Sequence, residues 1–388
     1  MRFLIEILIS LILVALFFVG LGFMLPSTAY IERSIDVERP LIHVYDTLNS
    51  NRRYTEWAPW KLVDPKVQFT PSMTTEGVGT GVSWTSNHKD LGNGEQEITA
   101  AALQLEGDTR SATIDYRLRP APGLNGTSRI TIKPADIGVK VIWSFQTNFG
   151  ADLVARYRGL YLDGRLGDEM QVGLARLKGL VESSLYARDY ADIEVEVLDQ
   201  PARRLLVLGA SATSYEEGRP PDVAVARDEA LEKLSAFLKR AKVEAAGFPM
   251  FAITSREVYT VSFDVMVPVP ADANIKVPDD MQLLELPAAQ AVVARHIGNR
   301  LVSNVTEEKA RGFMFMRKLE ADGRHLEEFL SDPSTTSELD FETNVIQYIL
   351  PEGGQASTSP ILAPVIPTAP TDGAAPADGA PPAAPAAG

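Results

Sequence analysis

The chain opens on an unbroken apolar run. From Phe3 to Leu25 the sequence reads FLIEILISLILVALFFVGLGFML, and Glu6 is its one charged residue. As a helix rising ~1.5 Å per residue, this run spans the ~30 Å hydrocarbon core of a bilayer. Residues 1–28 are therefore expected to form a membrane anchor, with Glu6 near enough to one end to reach the headgroups. The competing reading is a cleavable export signal cut after Ala29, since Ser27 and Ala29 are small. The apolar run is, however, much longer than the ~7–15 residues of a signal core. The expected topology is single-pass, with the aqueous domains on the periplasmic side and the cytoplasmic side as the alternative.

Beyond the anchor the pattern becomes one of alternation. AYIERSIDV reads as a strand, PLIHVYDTLNS as a short helix opened by Pro40, and then VQFT, TGVSWTS, EQEITAAALQL, SATIDYRLR, TSRITIK and VKVIWSFQTN read as strands. From Ala151 to Ser184 the period changes to three or four, with Leu153, Tyr157, Leu160, Leu166, Met170, Leu174, Leu177 and Val181 along one face, predicting one long helix. A second unit begins at IEVEVLDQPARRLLVLGASAT. It contains a strand pair, a helix from Asp222 to Ala245 and another strand pair, after which the same order recurs with a helix from Val305 to Glu320 and a closing strand FETNVIQYIL. The repetition predicts an internal duplication with a site at the pseudo-symmetric seam. The fold class is α+β: an antiparallel sheet gripping a helix at 29–187, a duplicated β-α-β-β unit at 192–351, and a Pro/Ala-rich tail at 352–388 that has too few large apolar residues to order.

Composition narrows the chemistry. The 388 residues suffice for two or three domains. With 37 basic and 51 acidic residues the net charge is −14 and no basic cluster stands out, which argues against nucleic acid as a partner. No helix-turn-helix or basic recognition helix precedes the second unit either. The chain has no cysteine, so disulfides, thiol nucleophiles and sulfur-ligated zinc are excluded. His43, His88, His296 and His325 lack metal-ligand spacing, so no metal or other cofactor is expected. The glycines at 77, 79 and 81 precede a strand, which leaves no helix N-terminus to receive phosphate.

The segments RSIDVERPLIHVYDTLNSNRRYTEWAPW, EGVGTGVSW, VIWSF and GLARLKGLVE resemble the SRPBCC or START-like helix-grip superfamily, in its polyketide-cyclase/dehydrase branch. The resemblance covers about 155 residues and implies an apolar cavity between sheet and final helix for a hydrophobic ligand. Trp57, Trp60, Trp84, Tyr116, Trp143, Phe145 and Leu174 are the candidate lining residues. The bland alternative is that these aromatic rings fill the core, with Pro59 fixing the turn that carries Trp57 and Trp60.

The segments SFDVMVPVP, LPAAQAVVARHIG, HLEEFLSDP and ETNVIQYI resemble the GyrI-like, or bacterial transcription activator effector-binding, domain. In that family a glutamate facing an aromatic-walled pocket meets cationic drugs, and some relatives hydrolyse small molecules with it. Aligned on Ser331, Asp332 and Pro333, that position is Glu327, with Phe263 and His296 as further candidate ligand contacts. Glu328 beside it suggests instead a solvated acidic edge. The segment after Leu286 departs from the family, since His296, Gly298, Asn299 and Arg300 replace the usual aromatic, and Arg300 favours an anionic ligand.

The expected function is membrane-anchored small-molecule binding, with an apolar guest in the first unit and a small molecule, neutral or charged, in the second. The alternatives are a hydrolase or cyclase centred on Glu327, and a membrane-tethered protein-interaction scaffold with degenerate pockets. Filled interiors would favour the scaffold. No protein partner is identified.

Overall fold

The computed structural model describes residues 2–106, 110–214, 221–332 and 335–351; the tail expected at 352–388 lies outside them, as does Pro333 of the aligned motif. Helix α1 (Arg2–Met24) carries the apolar run. It is long and apolar enough to cross a membrane, a test that a signal sequence also passes, and its most apolar window buries nothing against protein.

The first unit runs β1 (Thr28–Val37), α2 (Leu41–Leu48), α3 (Tyr54–Trp57), α4 (Trp60–Val63), β2 (Gln68–Pro71), β3 (Gly81–Thr85), β4 (Gly94–Gln104), β5 (Ser111–Ala121), β6 (Leu124–Pro134), β7 (Val139–Asn148), α5 (Leu153–Gly159) and α6 (Asp168–Glu182). Its seven strands form an antiparallel sheet in the order β1-β7-β6-β5-β4-β3-β2. Alternation does the sorting: Ala112, Ile114, Tyr116 and Leu118 of β5, and Val139, Val141, Trp143 and Phe145 of β7, all point inward. Against them α6 lays Met170, Leu174, Leu177 and Val181.

The long helix expected over 151–184 is in fact two helices separated by a π-helical turn at Asp163–Gly167. Gly159, Gly164 and Gly167 weaken helix propensity there. The first piece also has a different apolar partner. Gly22 of α1 is so close to α5 that a Cβ there would lie 3.2 Å from the Tyr157 ring and 3.3 Å from Leu153. Tyr157 donates its hydroxyl to the Phe18 carbonyl at 2.6 Å. Arg156 donates to the carbonyls of Phe23 and Leu25 at 3.2 and 3.1 Å, so a guanidinium caps the carbonyl end of α1.

The second unit runs β8 (Val195–Gln200), β9 (Arg203–Thr213), α7 (Val223–Ala241), β10 (Met250–Arg256), β11 (Thr260–Val269), β12 (Met281–Leu286), β13 (Ala289–Ile297), α8 (Ser303–Met316), β14 (Ala321–Phe329) and β15 (Glu342–Ile349). Asp222 starts α7 as an N-cap, accepting from the Val225 amide at 3.2 Å, and Lys242 ends it with φ 56°. The sheet order is β12-β9-β11-β10-β14-β15-β13-β8. The duplication is plain in that order, because β9-β11-β10 mirrors β13-β15-β14 about the β10·β14 seam. The opening strands are exchanged: β8 pairs with β13 of the later half, and β12 with β9 of the earlier.

One buried cluster spans the two units, beside two that belong to the second unit alone. Phe313, Met314 and Met316 of α8 pack in the same buried cluster as Leu41, Val44 and Leu48 of α2. Arg317 reaches Asp46 at 3.2 Å and Glu76 at 2.7 Å while lying over the Phe313 ring, and Tyr190 donates to the other Asp46 oxygen at 2.9 Å. Arg53 crosses in the other direction, donating to the Phe315 carbonyl at 2.8 Å.

Candidate functional site

In the first unit the candidate aromatic residues are brought together, and they fill the space between them. Trp57, Trp60, Trp84, Tyr116, Trp143, Phe145 and Leu174 are all buried. Trp60 stacks on Trp84 at 4.9 Å, and Trp57 meets Trp143 edge-on at 5.8 Å. Trp60 Nε1 donates to the Tyr54 hydroxyl at 2.7 Å, Trp143 Nε1 to Ser128 at 2.7 Å, and Tyr116 to the Leu48 carbonyl at 3.2 Å, whereas Trp57 Nε1 and Trp84 Nε1 are buried without a hydrogen-bond partner among the described residues. Beside them lies a cavity of about 10 Å³, lined by Tyr54, Thr80, Gln96 and Tyr116 among others. That is roughly the room one water needs.

In the second unit Glu327 sits at the seam. It lies on β14 directly across from Phe251 of β10, where the halves meet through only two paired positions, the other being Met250 and Glu328. Successive strand residues point to opposite faces, so the two glutamates part company. Glu328 turns to the face away from Glu327 and pairs with Arg203 at 2.6 Å. Glu327 accepts a hydrogen bond from Ser303 Oγ, the first residue of α8, at 2.8 Å. Both carboxylates are buried, so neither is a solvated edge. Burial raises the Glu327 pKa, and the Ser303 hydrogen bond and nearby His325 and Arg227 pull it partly back.

Around Glu327 lies an aromatic cluster in which Phe251 meets Phe263 at 5.1 Å and Phe329, and Phe329 meets Phe341 at 5.8 Å. Two of these ring faces are taken by Arg227, whose guanidinium carbon lies 5.0 Å from the Phe329 centroid and 5.5 Å from that of Phe251. Arg300 lies 4.6 Å over Phe341. Both guanidiniums are buried. They converge on one carboxylate oxygen, Asp228 Oδ1, at 3.4 Å from Arg227 Nε and 3.2 Å from Arg300 Nη1, and Arg300 Nη2 reaches Glu338 at 2.7 Å. Among the described residues, Arg227 Nη2 and Arg300 Nε are buried without a hydrogen-bond partner. Burial, and then the charge of Arg300, lower the Arg227 pKa.

Phe263 thus packs on Phe251, the residue across from Glu327, whereas His296 bonds elsewhere. The His296 imidazole hydrogen-bonds Thr306 at 2.9 Å and the Asn299 carbonyl at 3.1 Å, fastening the loop before α8 to the helix. Arg227 carries no motif, yet its place in the sequence holds a signal. It shares a helical stripe with Ala230, Leu234 and Leu238, the other buried residues of α7, so it is an arginine written into an apolar face.

Residues 28–182 match the family model described as polyketide cyclase/dehydrase and lipid transport, and residues 193–348 match the GyrI-like small molecule binding domain. Similar solved structures include a hydrolase from Listeria innocua, 14% identical over 40% of this chain and 91% of its own, with a TM-score of 0.31. The EcmrR C-terminal domain is 8% identical over 41% and 98% (TM-score 0.35). Norcoclaurine synthase from Thalictrum is 12% identical over 40% and 94% (TM-score 0.30). Comparison with curated proteins returns no match. The chain joins a polyketide-cyclase-type domain to a GyrI-like domain, two families of small-molecule binders, in an α+β architecture.

Proposed function

We propose that this pairing of a polyketide-cyclase-type domain with a GyrI-like domain is a membrane-anchored small-molecule-binding protein, and that its ligand site is the Glu327 seam. The observation that carries this reading is the buried cluster of Glu327, Arg227 and Arg300 on phenylalanine faces. Removing several charges from water costs several kcal/mol per ion, and a core built only for stability would use apolar residues there. A charged cluster at a symmetry seam is where a duplicated fold gathers side chains from both halves on one guest.

The test is a thermal-shift screen of the full chain in detergent against a small-molecule library. A ligand at a hundred times its Kd stabilises by about 2.7 kcal/mol, enough to raise the melting temperature by several degrees. At least one compound is expected to do so in the wild type and to lose its effect in Glu327→Gln. A cooperative melt that no compound moves would sink the proposal.

The first domain supports a second reading, because its aromatic rings pack on one another around a cavity of only about 10 Å³. An apolar guest there would have to displace them, so this domain serves as a rigid mount between α1 and the GyrI-like domain. A fluorescent fatty-acid probe should be taken up by Trp57→Ala and not by the wild type; uptake by the wild type would restore a lipid-binding role. Hydrolysis or cyclisation at Glu327 is the enzymatic alternative, supported by a carboxyl whose pKa burial raises toward general-base use. For any compound that the chain both binds and converts, Glu327→Gln should abolish turnover while leaving the fold intact.

A further inference from the structure

We infer that the seam of the second domain recognises a small oxyanion-bearing molecule through Arg227 and Arg300, and excludes cations, because these two arginines already occupy the aromatic faces that a cation would need. The inference rests on the ligand site proposed above and names the chemistry of its guest.

Ring faces attract cations through their quadrupoles. At this seam the faces of Phe251, Phe329 and Phe341 carry guanidiniums of the chain itself. An arriving ammonium would meet filled faces and two positive charges, with Glu327 already engaged by Ser303. An oxyanion meets the opposite situation. Arg227 Nη2 and Arg300 Nε are buried donors with no partner among the described residues, and a buried donor left unmade is costly. Guanidinium forks match planar carboxylate and phosphate oxygens.

The carboxylates now on these guanidiniums, Asp228 and Glu338, belong to side chains that are 41% and 51% exposed, against 4% and 6% for Arg227 and Arg300. The cations are fixed in the interior and the anions cover them from the solvent side. The exposed carboxylates can turn into water, but the buried guanidiniums they leave behind then need another anion in their place. A ligand oxyanion replacing Asp228 would keep the charge balance and gain the idle donors. Asp228 is thus a built-in stand-in for the ligand's acid group, and it competes with it.

The experiment is calorimetric titration of the full chain in detergent with benzoate, inorganic phosphate and benzyltrimethylammonium. Binding of benzoate alone identifies an organic acid as the guest class, and binding of phosphate alone a phosphate ester; either supports the inference. Asp228→Asn, an exposed change that keeps shape, should tighten anion binding about tenfold by removing the competitor. Arg300→Gln should weaken it by tenfold or more, the effect of losing a charge-assisted hydrogen bond of about 1.5–3 kcal/mol. Arg227→Met, which vacates the faces of Phe251 and Phe329, should admit the ammonium. Binding of the ammonium by the wild type more tightly than either anion, or anion binding weakened by Asp228→Asn, overturns the oxyanion reading while leaving the ligand site standing. Failure of all three probes with the wild type and with Arg227→Met removes the ligand site itself.

Discussion

His43 shows how much one residue's surroundings decide. It is enclosed in the core, stacked on Tyr190 at 5.0 Å, and its Nε2–H donates to the Arg188 carbonyl at 3.0 Å. Burial lowers its pKa to about 4, whereas in the unfolded chain it keeps the ordinary value near 6.5. Between those values the unfolded state binds a proton that the folded state refuses, so this residue's contribution to stability falls as pH drops from about 6.5 to about 4. Glu169 works in the opposite direction. Burial raises its pKa to about 7, so the folded state holds a proton that the unfolded chain takes up only near 4.5, and acidification through that window stabilises. Relative to the wild type, His43→Gln should therefore gain up to about 3 kcal/mol between pH 6.5 and pH 4 in urea melts. Parallel pH profiles for the two proteins would show that His43 carries no such linkage. Gly94 offers a steric case, since a Cβ there would clash with the edge of the Trp84 ring and with the Arg119 carbonyl oxygen. Gly94→Ala should cost about 1–3 kcal/mol in melts through overpacking; a neutral result would mean that both the Trp84 ring and the β5 backbone at Arg119 give way.

Among the elements, the contact between α1 and α5 has the clearest consequence. Arg156 caps the last carbonyls of α1, and Tyr157 reaches back to the Phe18 carbonyl, so the apolar helix leaves the first domain at a fixed angle. Arg156→Ala combined with Tyr157→Phe should loosen this junction and speed amide exchange in Phe23 to Leu25 at least tenfold, as expected for losing more than about 1.4 kcal/mol of local hydrogen bonding. Unchanged exchange would show that Gly22 packing alone holds the angle. Most strands and α7 are legible in the sequence because each buries one face and repeats at its own period, but β14, which carries Glu327, is not, because Leu326, Glu327, Glu328 and Phe329 are buried in succession and leave no alternation to read. The break between α5 and α6 was not, because Leu153 and Tyr157 continue the apolar spacing of Met170 and Leu174 although their partner is a different helix. Periodicity records that a face is buried, not what buries it. For the same reason Glu327 was reachable through its aligned motif, while Arg227, some hundred residues away, joined it only when the two halves closed.

At the scale of the whole molecule the two domains are bonded into one unit. Asp46 is enclosed, and burial pushes its carboxyl up while Arg317 from the other domain pulls it back. Removing one partner of a buried ion pair costs about 3–5 kcal/mol, less here because Arg317 is partly exposed. Arg317→Met should accordingly split a single calorimetric transition into two, or lower it by several degrees; one unshifted transition would show that the apolar contacts of Phe313 and Met316 suffice alone. Helix α8 runs from Ser303, which holds Glu327, to Met316 and Arg317 at this interface, so the same rigid element touches the proposed ligand site and the domain nearest α1.

The traded strands β8 and β12 have a consequence for any attempt to divide the GyrI-like domain. Severing the chain near residue 275 would leave the front piece holding a strand that belongs beside β13, and the rear piece holding one that belongs beside β9. Each fragment would expose a bare edge fitted to its sibling's strand. Co-expressed, they should reassemble like clasped hands; expressed singly, each should go looking for a substitute and precipitate.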